Sequence, residues 1–275
     1  MKFKKLLFIL LILIFVGIFA FSGYQVVTYL LDAKSQSDLY NGLASIVEEA
    51  QSHNPTPTNP DQKEPADTQE ETSDADEAEE PTEPTILPEY QELYEMNSDL
   101  IGWLKIEDTD INYPVMQTPD EKDFYLRRNF NKEYSTGGCL YAREQCNVFL
   151  PSDNITIYGH HMRNGSMFAD LDGYNRESFW ETHSEITFNT LYEHHTYQVF
   201  AVFKTSASVD KGFKYHQFVD ADSQEDFDDF ITTCKELSFY DTGITPEYGD
   251  KLICLSTCEY TLENGRMVVA AVRID

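Results

Sequence analysis

The chain has 275 residues, 41% of them hydrophobic and 13% aromatic, which is room for one sizeable domain with a true core plus appendages. A formal net charge of -28 argues against nucleic acid as a partner and against docking of the folded part on anionic lipid. The charge is unevenly placed, and that unevenness divides the chain.

Residues 1–5 carry Lys2, Lys4 and Lys5, and an uncharged run follows from Leu6 to Tyr24. Its nineteen residues, at a helical rise of about 1.5 Å, span about 28 Å, close to the roughly 30 Å hydrocarbon core of a bilayer. Lysines on the N-terminal side predict that residues 1–5 stay in the cytoplasm, that 6–24 form a transmembrane signal-anchor, and that everything downstream is exported. A cleaved signal peptide competes, because Ala20-Phe21-Ser22 loosely fits a cleavage site, but the apolar run is longer than the usual signal-peptide core. Residues 25–50 place Leu39, Leu43, Ile46 and Val47 at helical spacing and predict a juxtamembrane helix. What that helix packs on is not written in its own sequence.

Residues 51–88 are proline-rich and acidic from Asp61 to Glu83, with Lys63 alone in opposition. Such a segment cannot bury enough apolar surface to offset its chain entropy, and charge repulsion with proline stiffness predicts an extended, disordered tether. From Glu89 the composition is globular. PEYQELYEMN predicts a short helix opened by Pro88. Runs such as NITIYG, EITFNT, TYQVFAVFKTSA, KLICLSTC and RMVVAAVRI then read as short strands between polar turns, the pattern of a barrel or sandwich. One helix interrupts them: Phe227, Phe230, Ile231, Cys234 and Leu237 recur at three- and four-residue spacing behind Ser223 and Asp226, a capping pair.

Five cysteines, Cys139, Cys146, Cys234, Cys254 and Cys258, leave at least one thiol without an intrachain bridge. In an extended KLICLSTC, Cys254, Ser256 and Cys258 share a face. Cys254 and Cys258 then stand about 13 Å apart, well beyond the roughly 7 Å limit for a disulfide. Cys234 falls on the apolar face of its helix, and Cys139 with Cys146 are either bridged or free. Cys258 ends its strand before a polar loop, where a scaffold fixes a side chain within reach of substrate. A thiol nucleophile needs a base or a positive neighbour. YGHHM supplies His160 and His161 at a strand end beside Gly159, and NGRMVV supplies Arg266 at the start of the last strand. His183, His194 and His195 with Glu193 have no metal-ligand spacing, so neither a metal nor a cofactor is expected.

The ordered set YGHHM, LSTC and NGRMVV resembles the sortases, membrane-anchored cysteine transpeptidases of Gram-positive bacteria. The resemblance covers most of residues 89–275, and NSDLIGWLKIEDTDINYPVMQ, YLRRNFNKEYSTGG and IYGHHMRNGSMFADL point to class B. It implies a mainly β fold: an eight-stranded barrel with an N-terminal helix and a helix-bearing insertion before the last two strands. It implies Cys258 as nucleophile, His160 as general acid and Arg266 as oxyanion or substrate ligand, with Thr257, Ser256 and Glu259 as candidate substrate-binding residues. His161 stands where the family usually has another polar residue, and Cys254 where it usually has threonine. The implied partners are surface proteins with a C-terminal LPxTG- or NPxTN-like sorting signal, a peptidoglycan precursor or cross-bridge amine, and the membrane through the N-terminal anchor. A pilin lysine as acceptor is the alternative. An exported peptidoglycan L,D-transpeptidase is disfavoured, because that family's SHGC signature is missing.

Overall fold

The computed structural model describes residues 2–53, 84–208, 211–259 and 261–275. Most of the expected tether, residues 54–83, lies outside them. The N-terminal segments form one helix, α1 (Lys2–His53), of 52 residues, about 78 Å long at 1.5 Å per residue. The expected anchor and the expected juxtamembrane helix are therefore one rod, because nothing between Tyr24 and Asp32 breaks it. Its N-terminal half is exposed and apolar, long and apolar enough by composition to cross a membrane. Its C-terminal half buries a stripe, Gln36, Tyr40, Leu43 and Val47, with the three- and four-residue spacing of one helix face. That stripe docks on the barrel, with Tyr40 edge-on to Tyr113 at 5.4 Å between ring centres.

Next come α2 (Pro88–Met96), β1 (Leu100–Lys105), β2 (Asn112–Met116), β3 (Leu140–Ala142) and β4 (Asn154–Tyr158). A single short turn, α3 (Glu177–Trp180), precedes β5 (Glu185–Thr190) and β6 (Thr196–Ser206). The insertion carrying α4 (Gln224–Leu237) then leads to β7 (Leu252–Glu259) and β8 (Gly265–Arg273). Pro88 opens α2, where its missing N–H costs nothing. Ser223 caps α4 by accepting from the Asp226 backbone N–H, and Glu225 and Asp226 complement the positive end of the helix.

The strands close into a barrel in the order β1-β2-β3-β4-β7-β8-β6-β5, so the expected eight-stranded barrel is the fold. Two neighbouring pairs are parallel, β2 with β3 and β4 with β7, and the rest are antiparallel. Closure leaves no unpaired edge to template aggregation. Alternation along the strands makes two cores. Ile253, Leu255, Met267, Val269 and Ala271 face the barrel interior. The opposite faces of β6, β7 and β8 carry Phe203, Leu252, Cys254, Val268, Ala270 and Val272, covered by Phe227, Phe230, Ile231 and Cys234 of α4. Leu237, expected on that apolar face, is 41% exposed at the last residue of α4.

Candidate active site

The α4 layer covers only part of the outer sheet face, and the site begins where it stops. Along β7, Leu252, Cys254 and Ser256 are buried, and Cys258, next on that face, emerges half-exposed. Along β8 the chain runs the other way: Val272, Ala270 and Val268 are buried, and Arg266 emerges. The antiparallel register makes Cys258 and Arg266 direct partners, so both side chains stand on one face of adjacent strands, about 5 Å apart at their Cβ atoms.

His160 arrives from the other flank of β7. Strand β4 runs parallel to it, with Thr156 opposite Cys254 and Tyr158 opposite Ser256. β4 ends at Tyr158, and Gly159 and His160 follow beyond the last paired position, toward the end of β7 that carries Cys258. Gly159 permits this end geometry: its N–H donates to the Ser256 carbonyl at 3.1 Å, and a Cβ there would come 2.5 Å from Leu140 Cδ2 and 2.6 Å from Phe168 Cδ2. The Phe168 N–H in turn donates to the His160 carbonyl at 2.9 Å.

The imidazole is fixed by a partner the sequence did not announce. His160 Nε2 lies 2.8 Å from the Leu126 carbonyl. A carbonyl only accepts, so Nε2 carries the proton and Nδ1 is the nitrogen left to exchange one. Burial lowers the basicity of His160 below its ordinary value, the Leu126 bond opposes that, and the positive charges of Arg127 and Arg266 add to the lowering. His160 lines a cleft with Arg127, Thr136, Arg163 and, from α1, Tyr29. The Arg266 guanidinium donates from Nη1 to the Gly265 carbonyl at 2.9 Å, which holds it near the sheet.

The other named residues are placed as follows. His161 turns to the helical turn at 169–175, its Nε2 3.6 Å from Asp172. Ser256 shares the Cys258 face but is buried, its hydroxyl 2.6 Å from the Tyr215 hydroxyl. Thr257 is also buried, opposite Met267 of the interior core. The pleat that exposes Cys258 turns Thr257 inward, so it can reach substrate only through the shape of the pocket floor. Of the Glu259 side chain nothing is described. Lys214 donates to the Ser208 and Lys211 carbonyls, so it braces its own loop. Tyr215, in the run DKGFKYHQF, caps Ser256 beside the site, a role that no motif around it signals. All five cysteines are free. Burial pushes the Cys146 thiol up to about 11 and the Cys139 thiol up to about 12, and it raises Cys234 and Cys254 as well.

Comparison with known proteins bears on the family and the fold. A family model described as the Sortase domain matches residues 104–274. Sortase B of Listeria monocytogenes is 30% identical over 272 residues, 98% of this chain and 97% of that protein. Sortase B of Staphylococcus aureus is 30% identical over 188 residues, 68% of this chain and 75% of that protein. Among solved structures, sortase B from Bacillus anthracis matches with a TM-score of 0.68 at 26% identity, covering 90% of this chain and 99% of that one.

Proposed function

The chain belongs to the sortase family, as a class B cysteine transpeptidase of surface proteins, and on that premise we propose that it cleaves a C-terminal sorting signal of LPxTG or NPxTN type after threonine and joins the protein to a cell-wall amine. The observation that carries the reading is the pairing of Cys258 with Arg266 across β7 and β8, with His160 following the end of β4 on the other flank of β7.

The Cys258 thiol gives its proton to Nδ1 of His160, and the thiolate attacks the threonine carbonyl carbon. The C=O electron pair moves onto oxygen, and Arg266 donates to that oxyanion, a task for which a fixed cation in a partly dry site is suited. As the C–N bond breaks, His160 returns its proton to the leaving amine, leaving a thioester on Cys258. The acceptor amine then attacks the thioester, loses a proton to His160, and expels the Cys258 thiolate. Ser256 and Thr257 form the pocket floor beneath the acyl group.

We read α1 as a single-pass anchor with its N-terminus in the cytoplasm, on the strength of Lys2, Lys4 and Lys5 before the apolar span. From Tyr24, the expected end of the span, to Tyr29 the helix rises about 8 Å, and Tyr29 lines the same cleft as His160. This supports a catalytic mouth turned toward the bilayer, where both the unprocessed substrate and a lipid-linked acceptor reside.

Fluorogenic LPxTG, PPxTG and NPxTN peptides, offered to the full chain with glycine-type or lysine-type amines, test the reading. Cleavage and amine transfer that vanish in Cys258→Ala are expected. Transfer to lysine alone would turn the reading to pilus assembly, and activity that survives Cys258→Ala would sink it. Arg266→Lys keeps the charge but loses the planar fork. It is expected to lower kcat by about 10²-fold, within the range for losing one oxyanion donor, and near-normal turnover would remove the proposed role.

A further inference from the structure

The turn Ser135-Thr136-Gly137-Gly138-Cys139 is held between the anchor helix and the backbone that holds His160. On one side α1 grips it. Asp32 accepts from the Thr136 backbone N–H at 3.1 Å and from the Thr136 hydroxyl. Gln36 Nε2 and the Tyr40 hydroxyl each donate to the Gly138 carbonyl at 2.7 Å. A Cβ on Gly137 would collide with the Gln36 amide, which would then have to shift.

On its other side the turn holds residues 125–127. The Cys139 N–H donates to the Tyr125 carbonyl at 3.1 Å and the Ser135 N–H to the Arg127 carbonyl at 3.0 Å. Arg127 Nη1 donates back to the Thr136 carbonyl at 3.0 Å. Gly138 has a φ of 61°, and a Cβ there would come 2.6 Å from the Leu126 oxygen. The bare backbone of Gly138 is thus the surface against which the Leu126 carbonyl rests, and that carbonyl bonds His160 Nε2.

We propose that Gln36 and Tyr40 are positioning residues for catalysis: by holding Gly138 they set the Leu126 carbonyl, which fixes the ring and tautomer of His160. The membrane anchor is then part of the catalytic apparatus as well as a tether. This rests on the reading of His160 as the proton carrier. Both donors are buried, so removing them strands the Gly138 carbonyl without compensation from water and lets the turn move. A misplacement of about 1 Å at a reacting group can cost about 10²-fold in rate, so even a partial shift is measurable.

The test uses the full chain in detergent micelles, with Gln36→Ala, Tyr40→Phe and the double variant. Phenylalanine keeps the ring packed on Tyr113, so the helix stays docked while the hydroxyl is lost. The double variant is expected to lose about tenfold in kcat, with KM within about twofold, on the peptide the panel selects. In ¹⁵N-histidine NMR its His160 Nε2–H signal is expected to lose hydrogen-bonded character and its titration midpoint to fall, because the Leu126 bond supports the protonated ring. Tyr40→Phe alone is expected to show a smaller change in the same direction. Unchanged kcat overturns the proposal, and so does a fall in kcat with unmoved His160 signals, since the loss would then be structural. Transfer that survives His160→Ala is a separate result, which removes the proton-carrier reading itself.

Discussion

Cys258→Ala is expected to reduce transfer to background, a loss on the order of 10⁴-fold or more, because no other group can carry the acyl chain. Cys254→Ala, on the same strand face, is expected to keep turnover within about threefold. The contrast follows from the cover over the sheet. Cys254 is fully buried beneath α4, its thiol raised by burial and by the neighbouring Cys146, whereas Cys258 stands at the uncovered rim. The cost of Cys254→Ala is expected in stability, roughly 1–2 kcal/mol for a small core truncation, read as a lower thermal midpoint. Iodoacetamide on the native chain is expected to modify Cys258 first, since the other four thiols are buried. Mass spectrometry that found Cys254 labelled at a comparable rate would overturn the assignment of faces.

His160→Ala is expected to cost 10²- to 10⁴-fold in kcat, the range for removing a general acid–base group. His161→Ala is expected to change kcat by less than about threefold, because His161, though it lines the same cleft as His160, turns its Nε2 to Asp172. The titration of His160 carries its own sign. Burial, Arg127 and Arg266 all disfavour the charged ring, so its midpoint lies below that of an ordinary histidine and the imidazolium is lost as pH rises through it. The resting ring at neutral pH is therefore neutral and able to accept the thiol proton. Arg266→Ala removes one of those positive neighbours, and the His160 midpoint is expected to rise. A midpoint that stayed put or fell in Arg266→Ala, measured by NMR, would separate Arg266 from the His160 site.

What the sequence determined by itself was local. Period-two runs marked the strands, three- and four-residue spacing marked α4 and the docking half of α1, Ser223 marked a helix start, and the Leu6–Tyr24 run marked a span. Strand ends pointed to Cys258, to the His160–His161 pair and to Arg266, and the resemblance carried by LSTC, YGHHM and NGRMVV singled out His160. These signals are legible because they depend on residues within a few positions of one another.

The tertiary structure alone decided which strand ends meet. Tyr158 and Ser256 are paired across nearly a hundred residues, and nothing in either strand names the other as a parallel neighbour. Filling and closing the whole barrel selects that register, and a slip of one residue would turn Cys258 into the interior and expose Thr257. The Leu126 carbonyl was hidden for a related reason: a backbone acceptor has no side-chain signature, so its bond to His160 appears only when the 125–127 segment and the β4 end are brought together. The partner of α1 was hidden too. An apolar stripe says that a helix packs, but the surface that receives it, Gly137, Gly138 and Tyr113, is assembled from segments that only the closed barrel places side by side.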